Sequence, residues 1–369
     1  MFQNWLQPVV SDTFLHALTD EQKAGHHLLI HTKKKGIPNL SGVQVAFIGT
    51  DPISAGSFRK YFYNLSFPFS QLKVADLGDL RKQNIDFCIG ALAEIRNAGI
   101  LPIVIGDKIH SVQALFRAMK MNYESINLVA IDEKIPIDPS EKDQKNAYLN
   151  PLLFGTSPAI FQLGLVGYQT HFMGPAIRQY LQDQTFDLVR LGDARTQLSD
   201  VEPVIRDADL AGLNLNALRA SEASGVYDPS PSGFTVEEAC RLTRYAGMSD
   251  KLKGFYLLGY HASADKNAMT AFAMAEMIWY FLDGFYHRKG DYPISTDGLT
   301  EYIVELKKYD YQLTFWKSNN SGRWWIQVPV KIRRRDERHR LIPCSYNDYR
   351  AACQDDLPDR LIKAFKRFA

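Results

Sequence analysis

The chain has few cysteines and almost no excess of charge of either sign. Its 369 residues include four cysteines, Cys88, Cys240, Cys344 and Cys353, and no two of them form a Cys-x-x-Cys pair. This spacing argues against a zinc knuckle and against a disulfide framework, and it favours a reducing cytoplasm. The 43 basic and 41 acidic residues give a formal net charge of +2, so the overall charge gives no reason to expect a nucleic acid or an anionic membrane as a partner.

Long apolar runs are also missing. The longest, residues 271–285, is interrupted by Glu276 and Asp283, and the first residues lack the basic start and apolar run of a signal peptide. We therefore expect a cytoplasmic protein without a membrane segment. The basic run 333–340 includes Asp336 and Glu337, which is typical of a solvated loop rather than a nucleic-acid interface.

Short apolar runs alternate with longer helical patterns through the middle of the chain. Runs rich in Val, Ile and Leu between helices predict an α/β fold, in which helices cover both faces of a mostly parallel sheet. The predicted strands are 43–49, 73–76, 101–105, 126–131, 160–166, 210–218 and 254–260. The predicted helices are 57–65, 85–98, 112–121, 236–245 and 268–286. We assign residues 37–293 to this domain.

The two ends of the chain have different patterns. Residues 1–36 are predicted to form a helical appendage, with a capping box at 19–22 before a helix over 23–32. Residues 294–369 are predicted to form a C-terminal extension: a β-hairpin of 311–316 and 323–328, then short helices near 345–353 and 358–368. Adjacent residues of a strand face opposite sides, so we expect one of Trp324 and Trp325 to be buried and the other to contact a partner protein.

Several segments, in their order and spacing, resemble the ureohydrolase superfamily of arginases, agmatinases and formimidoylglutamases (also called formiminoglutamases). The match extends over about residues 43–286. It rests on Val45-Ala-Phe-Ile-Gly49, Ala75-Asp-Leu-Gly78, Leu101-Pro-Ile-Val-Ile-Gly106, Ala223-Ser-Gly225, Gly233-Phe-Thr-Val-Glu-Glu238, and Asp265 with Thr270-Ala271. The C-terminal segments 322–325 and 343–349 look more like one bacterial branch of formimidoylglutamase-like proteins.

The resemblance implies a three-layer α/β/α domain that holds two manganese ions. In the family these ions bridge a hydroxide that attacks a guanidinium or formimino carbon, because two metals lower the pKa of bound water and stabilise the developing charge. The ligands are carboxylates and imidazoles, as manganese prefers. The family also implies a homo-oligomer.

The residues at the family's six ligand positions are mostly unable to bind a metal. In the first motif, Asp107, Lys108, Ile109 and His110, the family's histidine falls on Ile109, and His110 lies one place beyond it. In the second, Asp132 is retained, but Lys134 and Pro136 replace a histidine and an aspartate. Counting back from Gly225, the third motif becomes Asn214 and Asn216, and a family glutamate falls on Gly259. One ligand of six remains.

Charge leads to the same interpretation. Two divalent cations need several nearby carboxylates, because uncompensated charge is costly to desolvate. Here Asp132 is the one certain anion, and Lys134 brings a cation to the same place. We predict that Lys134 pairs with Asp132, that Asn214 and Asn216 complete the hydrogen bonds, and that no cofactor is required. The sequence thus predicts a non-catalytic relative that acts through binding or assembly.

Two alternatives remain open from the sequence. The first is an active amidine hydrolase whose rebuilt manganese site uses Asp107, His110, Asp132, Asp207 and Asp209. The second is a sensor of a small anionic ligand, since Lys134 and Lys108 would suit a carboxylate or a phosphate.

Overall fold

A ten-stranded, mostly parallel sheet runs through the larger part of the chain. The computed structural model describes residues 2–10, 20–106, 110–123, 125–140, 147–155, 160–293, 295–328 and 341–368. Asp107, Lys108, Ile109 and the basic run 333–340 lie outside these residues. The strands of this sheet are β1 (Leu6–Gln7), β2 (Leu29–Ile30), β3 (Val45–Gly49), β4 (Val74–Leu80), β5 (Leu101–Ile105), β6 (Ile126–Ile131), β7 (Ile160–Tyr168), β8 (Asp187–Arg190), β9 (Leu210–Asn214) and β10 (Gly254–Leu258).

The order of the strands is β1-β4-β3-β5-β10-β9-β6-β7-β8, with β2 beside β4. All described pairs are parallel except β1 with β4. The α-helices are α1 (Ala24–His27), α2 (Pro52–Phe62), α3 (Ile85–Asn97), α4 (His110–Lys120), α5 (Asn150–Leu153), α6 (Pro175–Gln182), α7 (Leu191–Thr196), α8 (Glu202–Arg206), α9 (Val236–Met248), α10 (Met269–Tyr286), α11 (Tyr346–Ala352) and α12 (Asp359–Phe368).

Both faces of the sheet are buried, which explains why its strands are nearly continuous apolar runs. Along β3, Phe47 packs into one hydrophobic cluster with α2, α9 and α10, whereas Ala46 and Ile48 pack into a second cluster with α3 and α4. The result is a three-layer α/β/α arrangement, and it confirms the predicted fold class. Among the described residues, no helix is long and apolar enough to span a membrane.

The helix predicted over 23–32 is wrong. In the described part of this segment the helix is limited to α1, and β2 follows it directly. Strand β1 pairs antiparallel with β4 (Leu6 opposite Leu80), and β2 pairs parallel with the same strand. The capping-box pattern was compatible with a helix, but backbone pairing to the sheet determines the conformation.

A charged cluster lies in the core between α2 and β4. Arg59 Nε and Nη2 donate to the two carboxylate oxygens of Asp76 at 2.8 and 3.0 Å, and Nη1 donates to Asp79 at 2.7 Å. Tyr63 Oη also donates to Asp76, at 2.9 Å. All four side chains are buried, and desolvation raises the pKa of Asp79 although Arg59 acts in the opposite direction. The cluster ties the helix to the strand.

The C-terminal region forms a four-stranded antiparallel sheet of β11 (Leu299–Leu306), β12 (Tyr311–Ser318), β13 (Trp324–Gln327) and β14 (Leu341–Cys344). The predicted hairpin is confirmed as β12 and β13, with Trp316 opposite Trp325. Strands β11 and β14 were not predicted. Helices α11 and α12 follow where two short helices were expected.

The predicted partner surface at Trp324 and Trp325 is wrong, because both side chains are buried, with exposed fractions of 8% and 1%. The ring of Trp325 lies under the Arg206 guanidinium of α8, whose carbon is 4.5 Å from the ring centroid. Trp324 stacks on Tyr349 of α11 at 4.8 Å. The two faces of the strand do point in opposite directions, but each is covered by another part of the same chain.

Candidate functional site

Three parallel strands end side by side at the candidate site. Leu258 of β10 is paired with Asn214 of β9, and Ile131 of β6 is paired with Leu213. Asp132 and Gly259, the residues that directly follow β6 and β10, therefore lie on either side of the end of β9. In an open α/β sheet, ligands bind outside the carboxyl ends of the strands, which is where the sequence placed the site.

Asp132 is a buried carboxylate whose hydrogen bonds come from neutral groups. Its Oδ2 accepts from Tyr148 Oη at 3.1 Å and from Asn214 Nδ2 at 3.0 Å, and the side chain is 5% exposed. Burial raises the pKa of Asp132 to about 6, although these donors act in the opposite direction. The prediction that Asn214 bonds to Asp132 is confirmed.

The predicted ion pair between Lys134 and Asp132 is wrong. The Lys134 ammonium binds Asp228 instead, lies 3.8 Å from Glu133 Oε1, and sits 5.0 Å from the centroid of the Phe172 ring. The contact between Lys134 and Asp132 is a weak backbone hydrogen bond, in which the Lys134 N–H donates to Asp132 Oδ1 at 3.4 Å. The chain bends at residues 133 and 134 after β6 ends, and the Lys134 ammonium reaches the loop that carries Asp228, a residue far away along the sequence.

Glu133 was missed by the sequence interpretation. Its side chain is 1% exposed, and burial raises its pKa to about 7, with Lys134 acting in the opposite direction. Its Oε2 is buried and has no hydrogen-bond partner among the described residues. The sequence did place Glu133 between Asp132 and Lys134. It was not considered because the family motif has no metal ligand at that position.

Asn216, Gly259 and Pro136 have structural roles in the described geometry. The backbone N–H of Asn216 donates to Asn214 Oδ1 at 3.2 Å. The described donors to Asp132 are Tyr148, Asn214 and the backbone N–H of Lys134, so the expected bond from the Asn216 side chain is not among them. Gly259 has φ +87°, and a Cβ there would lie 2.3 Å from Asn214 Oδ1. Pro136 is buried, and its carbonyl accepts from Leu149 N at 3.0 Å.

Asp207 and Asp209 lie at the other edge of the sheet, before β9 begins. They pair with Lys251, whose Nζ is 3.0 Å from Asp207 Oδ1 and 3.7 Å from Asp209 Oδ2. The five residues of β9 separate them from the strand-end site by roughly 16 Å at about 3.3 Å per residue. Their predicted role as displaced metal ligands is therefore wrong. His110 is exposed at the start of α4.

The described residues do not fit a dinuclear metal centre. The end of β6 offers two adjacent carboxylates, Asp132 and Glu133, and the ammonium of Lys134 offsets part of their charge, with the amides of Asn214 and Asn216 nearby. Asn214 directs its amide N–H at the carboxylate, so the pair already satisfies itself without a cation. Within the described part of the chain, no three His, Cys, Asp or Glu side chains come together as a group that could hold a metal ion. Two divalent cations require more negative charge than this.

The order of the strands and the helices that cover both faces of the sheet define a three-layer α/β/α protein. No protein-family model matches the chain, and no curated protein matches it. Solved structures do match. Formiminoglutamase from Trypanosoma cruzi, crystallised with Mn²⁺, superposes with a TM-score of 0.61 at 17% identity, covering 68% of this chain and 96% of that one.

Two further structures give the same result. Arginase from Bacillus caldovelox matches with a TM-score of 0.55 at 14% identity, covering 67% of this chain and 99% of that one. A hypothetical agmatinase from Burkholderia thailandensis matches with a TM-score of 0.58 at 16% identity, covering 68% and 88%. The chain therefore has the arginase-like fold of the ureohydrolases, as the resemblance in its sequence predicted; at these identities the likeness concerns the fold.

Proposed function

We propose that this protein is a non-catalytic relative of the ureohydrolases, which acts by binding or assembly in the cytoplasm rather than by dimanganese hydrolysis. The main support for the proposal is that Asp132 and Lys134 both have partners within the protein. Tyr148 and Asn214 satisfy the carboxylate, and Lys134 is held by Asp228. A fold supports many functions, so the chemistry of the site outweighs the resemblance of the fold.

The alternative of an active hydrolase loses two of its five proposed ligands. Asp207 and Asp209 lie at the opposite edge of the sheet and are neutralised by Lys251. A rebuilt site would have to use Asp132 together with residues 107–110.

The alternative of a small-anion sensor loses its main support as well. It depended on a free ammonium at Lys134, but Asp228 and Glu133 flank that group, and Asp132 lies beside them. The described charges around Lys134 therefore add up to a negative rather than a positive environment. An anionic ligand would be repelled there.

Manganese content tests the proposal directly. After incubation with MnCl₂ and desalting, elemental analysis is expected to find no manganese above the buffer blank, whereas Trypanosoma cruzi formiminoglutamase treated in parallel retains it. Formiminoglutamate, arginine and agmatine are expected to release no formamide, urea or ammonia above the rate without protein. Stoichiometric manganese that disappears in Asp132→Ala but stays in Asp209→Ala would overturn the proposal.

For the assembly part of the proposal we expect a homo-oligomer, as the resemblance implies. Light scattering after size-exclusion chromatography would measure the mass directly. A single species of 41.9 kDa at all concentrations would contradict it, because that is the mass of one chain.

A further inference from the structure

A cavity lies at the junction between the α/β/α domain and the C-terminal sheet, and it shares no residue with the strand-end site. Its volume is about 310 Å³, and it lies between the segment that leads into α8 and the start of α11. Ligand pockets in proteins begin at about this size. The side chains that matter for its chemistry are Asp200, Glu202, Arg206, Arg323, Trp324 and Tyr346.

Arg206 is the central group of this cavity and is 4% exposed. Its Nε lies 3.0 Å from Glu202 Oε1, and its Nη2 donates to the carbonyls of Trp324 and Cys344 at 3.1 and 3.3 Å. Its Nη1 is buried and has no acceptor among the described residues. A buried guanidinium nitrogen without an acceptor is unfavourable, so an oxygen ligand at this place would be bound strongly.

The charges that line the cavity balance. Arg206 and Arg323 are positive, and Glu202 and Asp200 are negative. Glu202 is shared by the two arginines, at 3.0 and 3.4 Å, whereas Asp200 accepts from the neutral amide of Asn347 at 3.1 and 3.0 Å. Among the described residues, Arg206 Nη1 therefore has no acceptor, and Asp200 has no cation as a partner. A ligand that carries both a carboxylate and an ammonium group complements this pair.

We propose that the cavity binds a free amino acid. Its carboxylate accepts from Arg206 Nη1, its ammonium group binds Asp200, and its side chain packs against Trp324 and the half-exposed ring of Tyr346. The bound molecule bridges α8 to α11 and thereby fixes the C-terminal sheet to the larger domain. This site is independent of the proposed function at Asp132, because no residue is shared.

The first test is a thermal-shift screen of the full-length protein with each of the twenty amino acids at millimolar concentration. At least one is expected to raise Tm by about 2 °C or more, because a ligand that binds the folded state stabilises it. Calorimetry would then compare that amino acid with its decarboxylated amine and its deamino acid. Each analogue is expected to bind at least about tenfold more weakly, since each loses one charged hydrogen bond.

Variants locate the site. Ser199 is exposed at the edge of the cavity, so Ser199→Trp fills it without disturbing the core, whereas Ser41→Trp places the same side chain on an exposed turn outside the cavity. Ser199→Trp and Asp200→Asn are expected to abolish the stabilisation, and Ser41→Trp to retain it. The proposal is overturned if no amino acid binds, if binding survives Ser199→Trp, or if the deamino acid binds as tightly as the amino acid.

Discussion

Replacing Asp132 by asparagine should stabilise the protein at neutral pH. The substitution keeps the shape of the side chain, and the new carbonyl oxygen still accepts from Tyr148 and Asn214. It removes a negative charge whose burial is unfavourable, since desolvation raises the pKa of Asp132 from 3.8 to about 6. Removing a true metal-centre carboxylate would have the opposite effect whenever the metal is present.

The magnitude follows from the pKa. A shift of about two units corresponds to roughly 3 kcal/mol between the protonated and ionised states at 1.36 kcal/mol per unit. Because the folded-state pKa of Asp132 is above the unfolded value, the contribution of this group to stability is fully present below about pH 4 and is lost as the pH rises through 6. The free energy of unfolding of Asp132→Asn should therefore equal that of the wild type near pH 4 and exceed it by about 2–3 kcal/mol at pH 8.

Urea unfolding at pH 4, 5, 6, 7 and 8 measures this difference. Both proteins should carry Glu133→Gln, because the charge of Asp132 contributes to the raised pKa of Glu133 and Asp132→Asn would otherwise change two titrations at once. The series should be repeated with MnCl₂, which is expected to change neither curve. A wild type that is more stable than Asp132→Asn at pH 8, with the gap growing when manganese is added, would refute the reasoning and show that the anion is stabilised by a cation.

Two further predictions concern the stability of the fold. Arg59→Met should lower the free energy of unfolding by about 3–5 kcal/mol, because it leaves Asp76 and Asp79 buried without their counter-charge; in urea unfolding the exposed Arg190→Met should leave the midpoint unchanged. Equal losses of stability in Arg59→Met and Arg190→Met would contradict a stabilising role for the buried cluster. Gly259→Ala should lower the free energy of unfolding by about 1–3 kcal/mol more than Gly298→Ala. Both glycines have positive φ, but a Cβ at Gly259 would clash with Asn214, whereas a Cβ at Gly298 would have no atom within 4 Å. Similar unfolding midpoints for the two glycine variants would show that the clash at Gly259 does not contribute.

Most of the sheet could be predicted from the sequence. Strands buried on both faces are continuous apolar runs, and β5 and β6 have the predicted bounds. The edge strands could not be predicted in this way. Strand β8 has three half-buried residues and one exposed residue, and β1 and β2 have two residues each. Their sequences therefore carry too little pattern, and pairing with a neighbour determines them.

For the site, the sequence identified the positions but not the partners. Counting from Gly225 and Asp265 placed Asn214 and Gly259 at neighbouring strand ends, and the register of β9 and β10 brings them together. The partner of Lys134 was assigned to the nearest acid in the sequence, Asp132. The structure assigns it to Asp228, which is 94 residues away along the chain.

The sequence by itself determined the layered fold and the residue types at the strand ends, Asp132, Asn214 and Gly259, because both depend on residue type and local spacing. The tertiary structure decided which charges meet: Lys134 with Asp228, Arg206 with Glu202, and Asp132 with neutral donors. It also determined that Trp325 is buried beneath the Arg206 guanidinium. Electrostatic energies depend on distance and burial, and both are set by segments that are far apart in sequence until the chain has folded.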